Sequence, residues 1–192
     1  MGPLTRFLLL AVLLGYCAVR GGAVITQQML PLFRIELTWL ADGFRIDRVY
    51  VDRDGPDQVL RVDLGLARPL SLNGRTFQPD PRGKATASTL LGNVTLPSAS
   101  LVAVTFAWPF RSRRTLAIRL LLLAPAAVLL CLLNAPFILW GSMWGLVLRV
   151  ADPDRFSPLL IWTDFLIGGG GVALALVLGI GIGRRQSQPE PK

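Results

Sequence analysis

Residues 159–183 read LLIWTDFLIGGGGVALALVLGIGIG, a run whose one charge is Asp164 and which is followed at once by Arg184 and Arg185. A bilayer core ~30 Å thick needs ~20 apolar helical residues at 1.5 Å rise, so this stretch is long enough for a tilted span. The rest of the chain agrees with a membrane class. Of its 192 residues 52% are apolar and 17% charged, where soluble domains carry about 45–50% and about 25%. The apolar residues are also gathered into long blocks, which a soluble core does not need.

Three further blocks can be tested against the same length. FLLLAVLLGYCAV (7–19) follows Arg6, and its apolar character resumes after Arg20 through GGAVITQQMLPLF, so residues 1–33 read as an uncleaved signal anchor and first span. Gly21, Gly22 and Ala23 would also suit signal-peptide cleavage after Ala23. Either reading exports the segment that begins at Arg34. Bulky Tyr16 argues against a lipidated Cys17. Residues 115–134 form the third span, with Arg119 near enough to its start to snorkel and Asn134 ending the helix. Residues 90–110 (LLGNVTLPSASLVAVTFAWPF) are long enough for a second span but are interrupted by Asn93, Thr95, Pro97, Ser98 and Ser100.

Charge chooses among the topologies. The net charge is +8, yet residues 34–88 hold nine basic and eight acidic groups, so much of the excess lies in short clusters beside the apolar blocks. These are Arg6, then Arg111, Arg113 and Arg114, then Arg184, Arg185 and Lys192. Such clusters mark cytoplasmic loops, and no basic stripe with interleaved aromatics suggests nucleic acid. If 90–110 spans, every cluster falls inside: 111–114 is a cytoplasmic loop, 184–192 a cytoplasmic tail, and 159–183 the fourth span. Residues 135–158 then form an outer interfacial segment and loop, with Trp140 and Trp144 at the depth tryptophan prefers. The competing topology makes 135–148 a span of 14 residues and exports the Arg111 cluster. The expected fold is thus an α-helical transmembrane bundle of about four spans with a small exported β segment, both termini cytoplasmic.

The exported segment, 34–89, shows strand and turn signals. In 59–66 (VLRVDLGL), Leu60, Val62, Leu64 and Leu66 alternate with Arg61 and Asp63, while Asn73-Gly74 supplies the positive φ angles of a type I′ hairpin. QPDPRGKATAST reads as a connector. With no disulfide, so small a segment has a marginal core of its own and must lean on the membrane, a partner or a second copy.

No catalytic apparatus emerges. The chain has no histidine and two cysteines, Cys17 and Cys131, both in apolar blocks, so imidazole catalysis and thiolate or imidazole zinc sites are excluded, and no cofactor or metal is expected. Asp52, Asp54 and Asp57 around Gly55 suit a charged hairpin turn better than a calcium loop, which needs further ligands. Asp47 and Asp63 are exported carboxylates with nothing placing them beside a nucleophile. More specific are two small-residue faces at four-residue spacing, Gly171, Ala175, Gly179 and Gly183, and Ala99, Ala103 and Ala107. These read as helix-packing surfaces, within the chain, between copies or with another protein. Asp164, Asn93 and Ser98 are candidates for a polar path or interface, with Arg149 and Arg155 as natural partners of Asp164.

The order of segments resembles the small membrane proteins associated with exosortase H, a bacterial protein-sorting transpeptidase of the membrane. The matching pieces are FLLLAVLLGYCAV, the FRIDRVYV and VLRVDLGL strands, LVAVTFAWPF followed by RSRR, and LLLLAPAAVLLCLLNAPFILWG. The resemblance implies an accessory in the bacterial inner membrane, because a transpeptidase of that kind needs a histidine. The expected function is therefore a non-enzymatic accessory of a membrane assembly. Its partners are the lipid bilayer and either another membrane protein or further copies of itself; a small transporter or channel is the alternative.

Overall fold

Two helices are too long for the bilayer they cross, and their excess length decides the architecture. In the computed structural model, which describes residues 3–109 and 112–185, α1 (Pro3–Leu40) has 38 residues and α3 (Arg113–Ala151) has 39. Each is ~57 Å long at 1.5 Å rise, about twice the hydrocarbon thickness. The described chain runs α1, β1 (Phe44–Asp54), β2 (Asp57–Leu66), β3 (Leu70–Leu72), β4 (Arg75–Phe77), β5 (Ala85–Leu90), α2 (Leu91–Ala107), α3, α4 (Pro158–Phe165), a π turn (Leu166–Gly170) and α5 (Gly171–Arg185). Three stretches are long and apolar enough to cross a membrane, Leu4–Leu40, Arg113–Ala151 and Pro158–Arg184; α2 is a shorter apolar helix of 17 residues. Arg111 and the tail from residue 186 lie outside the described residues.

The surplus turns of α1 and α3 carry the sheet. Phe33 and Leu37 of α1, Leu60 and Val62 of β2, and Ala135, Leu139 and Met143 of α3 share one core, all fully buried. The β segment therefore does not depend on its own few apolar side chains; helices of the same chain complete its core. This also explains two departures from the sequence reading. The first helix does not stop at residue 33, because Phe33, Leu37 and Ala41 gain burial against the sheet. Nor does the third end at Asn134 with an interfacial segment after it. Asn134 is buried inside α3 and donates to Leu130 O at 2.8 Å, and Pro136 forfeits one backbone bond that the packing of Ile138, Leu139 and Met143 offsets.

The sheet is antiparallel, in the order β1-β2-β5, with β2 central. The register runs from Phe44↔Leu66 to Asp54↔Asp57 on one side, and from Val59↔Leu90 to Leu64↔Ala85 on the other. β5 lies within the stretch read as a connector. Its small residues alternate too, Ala87 and Thr89 inward and Thr86 and Ser88 outward. β3 and β4 form a separate hairpin whose Asn73 and Gly74 have φ of 49° and 73°, as a type I′ turn requires. α2 follows β5 with no intervening residue.

The last span is not one continuous helix. Between α4 and α5 the backbone leaves helical geometry at Gly169, with φ of 100°, a conformation that a Cβ disfavours. Ile167, Gly168 and Gly169 are exposed there.

Candidate functional site

Within the bundle α2 lies between α1 and α5, and α3 packs against all three. Close approach depends on missing side chains. A Cβ on Gly179 would run into Val104 and lie 3.2 Å from Leu101 O; one on Gly171 would strike Asn134 Oδ1 and Pro97; one on Gly183 would meet the Trp108 ring at 3.0 Å. Ala175 on the same face is fully buried. That face of α5 is turned onto α2 and α3 of its own chain. Ala103 and Ala107 are buried, and Ala99 lines a groove against α1. On the α1 side, Gly22 faces Thr95 in the same way.

Arg119 locks the end of the bundle remote from the sheet. It does not snorkel; it is the largest fully buried side chain among the described residues. Nη1 donates to Trp108 O at 2.7 Å and Thr105 O at 3.4 Å, and Nη2 to Pro109 O and Gly183 O, each at 3.3 Å. The last carbonyls of a helix have no intrahelical donor. One planar guanidinium thus serves the C-terminal ends of α2 and α5 together, a role for which arginine's forked donors are suited.

Cavities among the described residues include three that bear on the candidates. The first, about 310 Å³, lies at the sheet end between β2, the β3–β4 hairpin and the last turns of α3; it is mainly apolar, with Asp80 and Lys84 among its lining residues. The second, about 220 Å³, is a groove between α1, α2 and α3, where Ser98 Oγ lies 3.2 Å from Cys131 Sγ and the buried Thr26 hydroxyl has no partner among the described residues. The third, about 290 Å³, is a crevice between the start of α2 and the π turn, lined by Asn93, Pro97, Gly168 and Gly169. Asn93 also donates to Thr89 Oγ1 at 3.2 Å. The three residues singled out for a polar path are therefore not brought together. Ser98 lines the groove, Asn93 the crevice, and Asp164 neither; Asp164 is exposed and makes no ion pair with Arg149, Arg155 or any other described residue.

No family model, curated protein or solved structure matches the chain. The geometry alone bears on function.

The carboxylates at the sheet end are structural in their contacts. Arg61 pairs with Asp52 at 2.5 Å and with Asp54 at 3.6 Å, across a tight β1–β2 turn in which Gly55 has φ of 59°. Asp63 accepts from Tyr50 and Thr86, and Asp42 pairs with Arg68. Asp47, beside the bulge in β1, takes a 2.7 Å bond from Arg45, which holds its carboxyl below the usual range. Asp47 and Asp63 thus serve separate partners. Among the described residues no three metal-ligating side chains cluster.

Sequence reasoning missed the role of Arg119 and the break at Gly169. The run of four glycines at 168–171 was a signal for the break, since a left-handed residue inside a span is almost confined to glycine. Nothing local in the sequence marks Arg119 as a cap, because its acceptors lie on two other helices.

Proposed function

We propose that this chain is a non-enzymatic accessory protein of a membrane assembly in the bacterial cytoplasmic membrane, and that the assembly is one for exosortase-type protein sorting. The observation that carries the reading is the unbroken passage of α1 and α3 from the bundle into the core of the sheet. It makes the sheet a rigid platform at one membrane face, the construction suited to presenting a surface to another protein. Charge supports an orientation with the sheet outside: Arg113, Arg114 and Arg184 stand at the end away from the sheet, and basic clusters favour the cytoplasmic side. α2 supplies a fourth crossing, ~25 Å long, a little short of the ~30 Å hydrocarbon core. Retention of the first 23 residues is supported by packing, since Gly22 faces Thr95 of α2 and Leu14, Cys17 and Ala18 form one wall of the groove that α1 shares with α2. The order of segments, which resembles that of exosortase H-associated proteins, supports this class of assembly. Crosslinking of the tagged protein in native membranes, with identification of stoichiometric partners, tests it. A sortase or export component is the expected capture, and recovery of no other membrane protein in stoichiometric amount would overturn the reading.

A small transporter is the second reading, favoured by one feature. Broken spans whose non-helical backbone lines a crevice, as Gly168 and Gly169 do beside Asn93, are how secondary transporters build sites. On this reading Asn93→Leu, at the crevice, lowers flux of the transported solute in reconstituted vesicles; flux carried equally well by the variant removes the argument for the crevice.

A further inference from the structure

Among the described residues, Arg20 and Asp164 are exposed charged side chains within the spans that join no ion pair. Arg20 is exposed on α1, on the side away from Gly22, Thr26 and Phe33, and rests only over the Tyr16 ring, 5.6 Å from its centroid. Asp164 is exposed on α4, one turn before the exposed Gly168. Among the described residues neither joins any of the ion pairs, which all lie at the sheet end. Ionisable groups facing hydrocarbon are costly, and a non-helical backbone cannot face lipid uncovered. The α4–α5 flank therefore requires a cover that brings donors, and the α1 flank requires an acceptor.

We propose that the cover is a second copy of this chain, whose α1 packs on the α4–α5 flank and whose Arg20 engages Asp164 and the exposed backbone of the π turn. Depth supports the match. Gly22 faces Thr95 and Gly171 faces Pro97, so along α2 Arg20 stands level with Gly171, and the π turn begins just sheet-ward of that level. Asp164 is seven residues farther, ~10 Å. An extended arginine and an aspartate cover that distance together when the backbones approach closely, and Gly168, with nothing within 4 Å of where its Cβ would stand, permits the approach. Copies in one membrane share orientation and height, so levels within a chain carry over between chains. The two faces lie on different flanks of α2, which makes the contact heterologous; copies add head to tail, as a ring or a row.

The test uses two differently tagged full-length copies, co-expressed and recovered from native membranes in mild detergent. Wild-type copies should co-purify. R20D copies should fail to associate with one another, as should D164R copies, each by about tenfold or more, the equivalent of ~1.4 kcal/mol. An R20D copy paired with a D164R copy should associate again, because every contact then regains opposite charges, and this recovery separates lost recognition from lost folding. R20D/D164R alone should recover likewise. Wild-type copies that never co-purify, single reversals without effect, or mixed copies that fail to recover overturn the proposal. So does loss, in D164R, of a different membrane protein while copies of this chain remain apart, which would assign the flank to that partner.

Discussion

Arg119→Leu is expected to lower the stability of the folded bundle by about 3–5 kcal/mol, read as the free energy of unfolding in mixed detergent micelles. The charged donor serves four carbonyls at 2.7–3.4 Å, and hydrogen bonds to charged groups contribute about 1.5–3 kcal/mol each when well formed. Two opposing effects bound the figure. Three of the four bonds are long, and burying a guanidinium costs desolvation energy that leucine avoids. That saving is incomplete, because the acceptors are backbone and stay in place when the donor goes. Arg119→Lys keeps the charge as a single point and should recover less than half of the loss, since lysine cannot reach two helix ends in one plane. Unfolding of the leucine variant within 1 kcal/mol of wild type would remove the clamp from the account of the fold.

The second large effect is expected from Gly179→Leu. Its Cβ alone collides with Val104, and no flexible side-chain end is there to yield, since Leu101 O stands 3.2 Å away on the other side. Overpacking typically costs about 1–3 kcal/mol. Here the cost should reach the upper part of that range, because prising α5 from α2 also draws Gly183 O from Arg119. The two changes are coupled, so the double variant Gly179→Leu with Arg119→Leu should lose less than the sum of the singles. Gly181→Leu is the control. A Cβ there has nothing within 4 Å, and the substitution should alter stability by no more than ~0.5 kcal/mol. Equal losses at 179 and 181 would show that the contact with Val104 does not govern the result, since leucine is the better helix former at both positions.

These two sites mark the division between what the residue string discloses and what it withholds. Spacing of Gly171, Ala175, Gly179 and Gly183 by four exposes a smooth helix face directly, and alternation in 59–66 and Asn73-Gly74 expose a strand and a turn, because each is a local regularity. The partner of that smooth face is not local, and only the fold turns it onto Val104 and Trp108. β5 is hard to read because ATASTL holds no Val, Ile or aromatic residue, and its two threonines are the only strand-favouring side chains in it. Asn134 and Pro136 carry local signals for ending a helix, and the signals lost to burial of Leu139 and Met143 in a core assembled from distant parts of the chain. Of the polar candidates, Asn93 and Ser98 line separate cavities and Asp164 neither, because a set of residue types does not specify which faces of three helices will meet.

α2 begins at Leu91 directly after β5 ends at Leu90, and α1 and α3 enter the sheet's core as continuous helices. Three of the sheet's attachments are therefore stiff rods, α2 joined to β5 with no spacer and α1 joined to β1 through only residues 41–43. Helices longer than the bilayer adjust to its thickness by tilting. Any such tilt is passed to the sheet in full and magnified by the length of helix above the membrane surface, so the height and heading of the platform are set by the lipid around the bundle. A bilayer of different thickness re-aims the exposed face of the sheet.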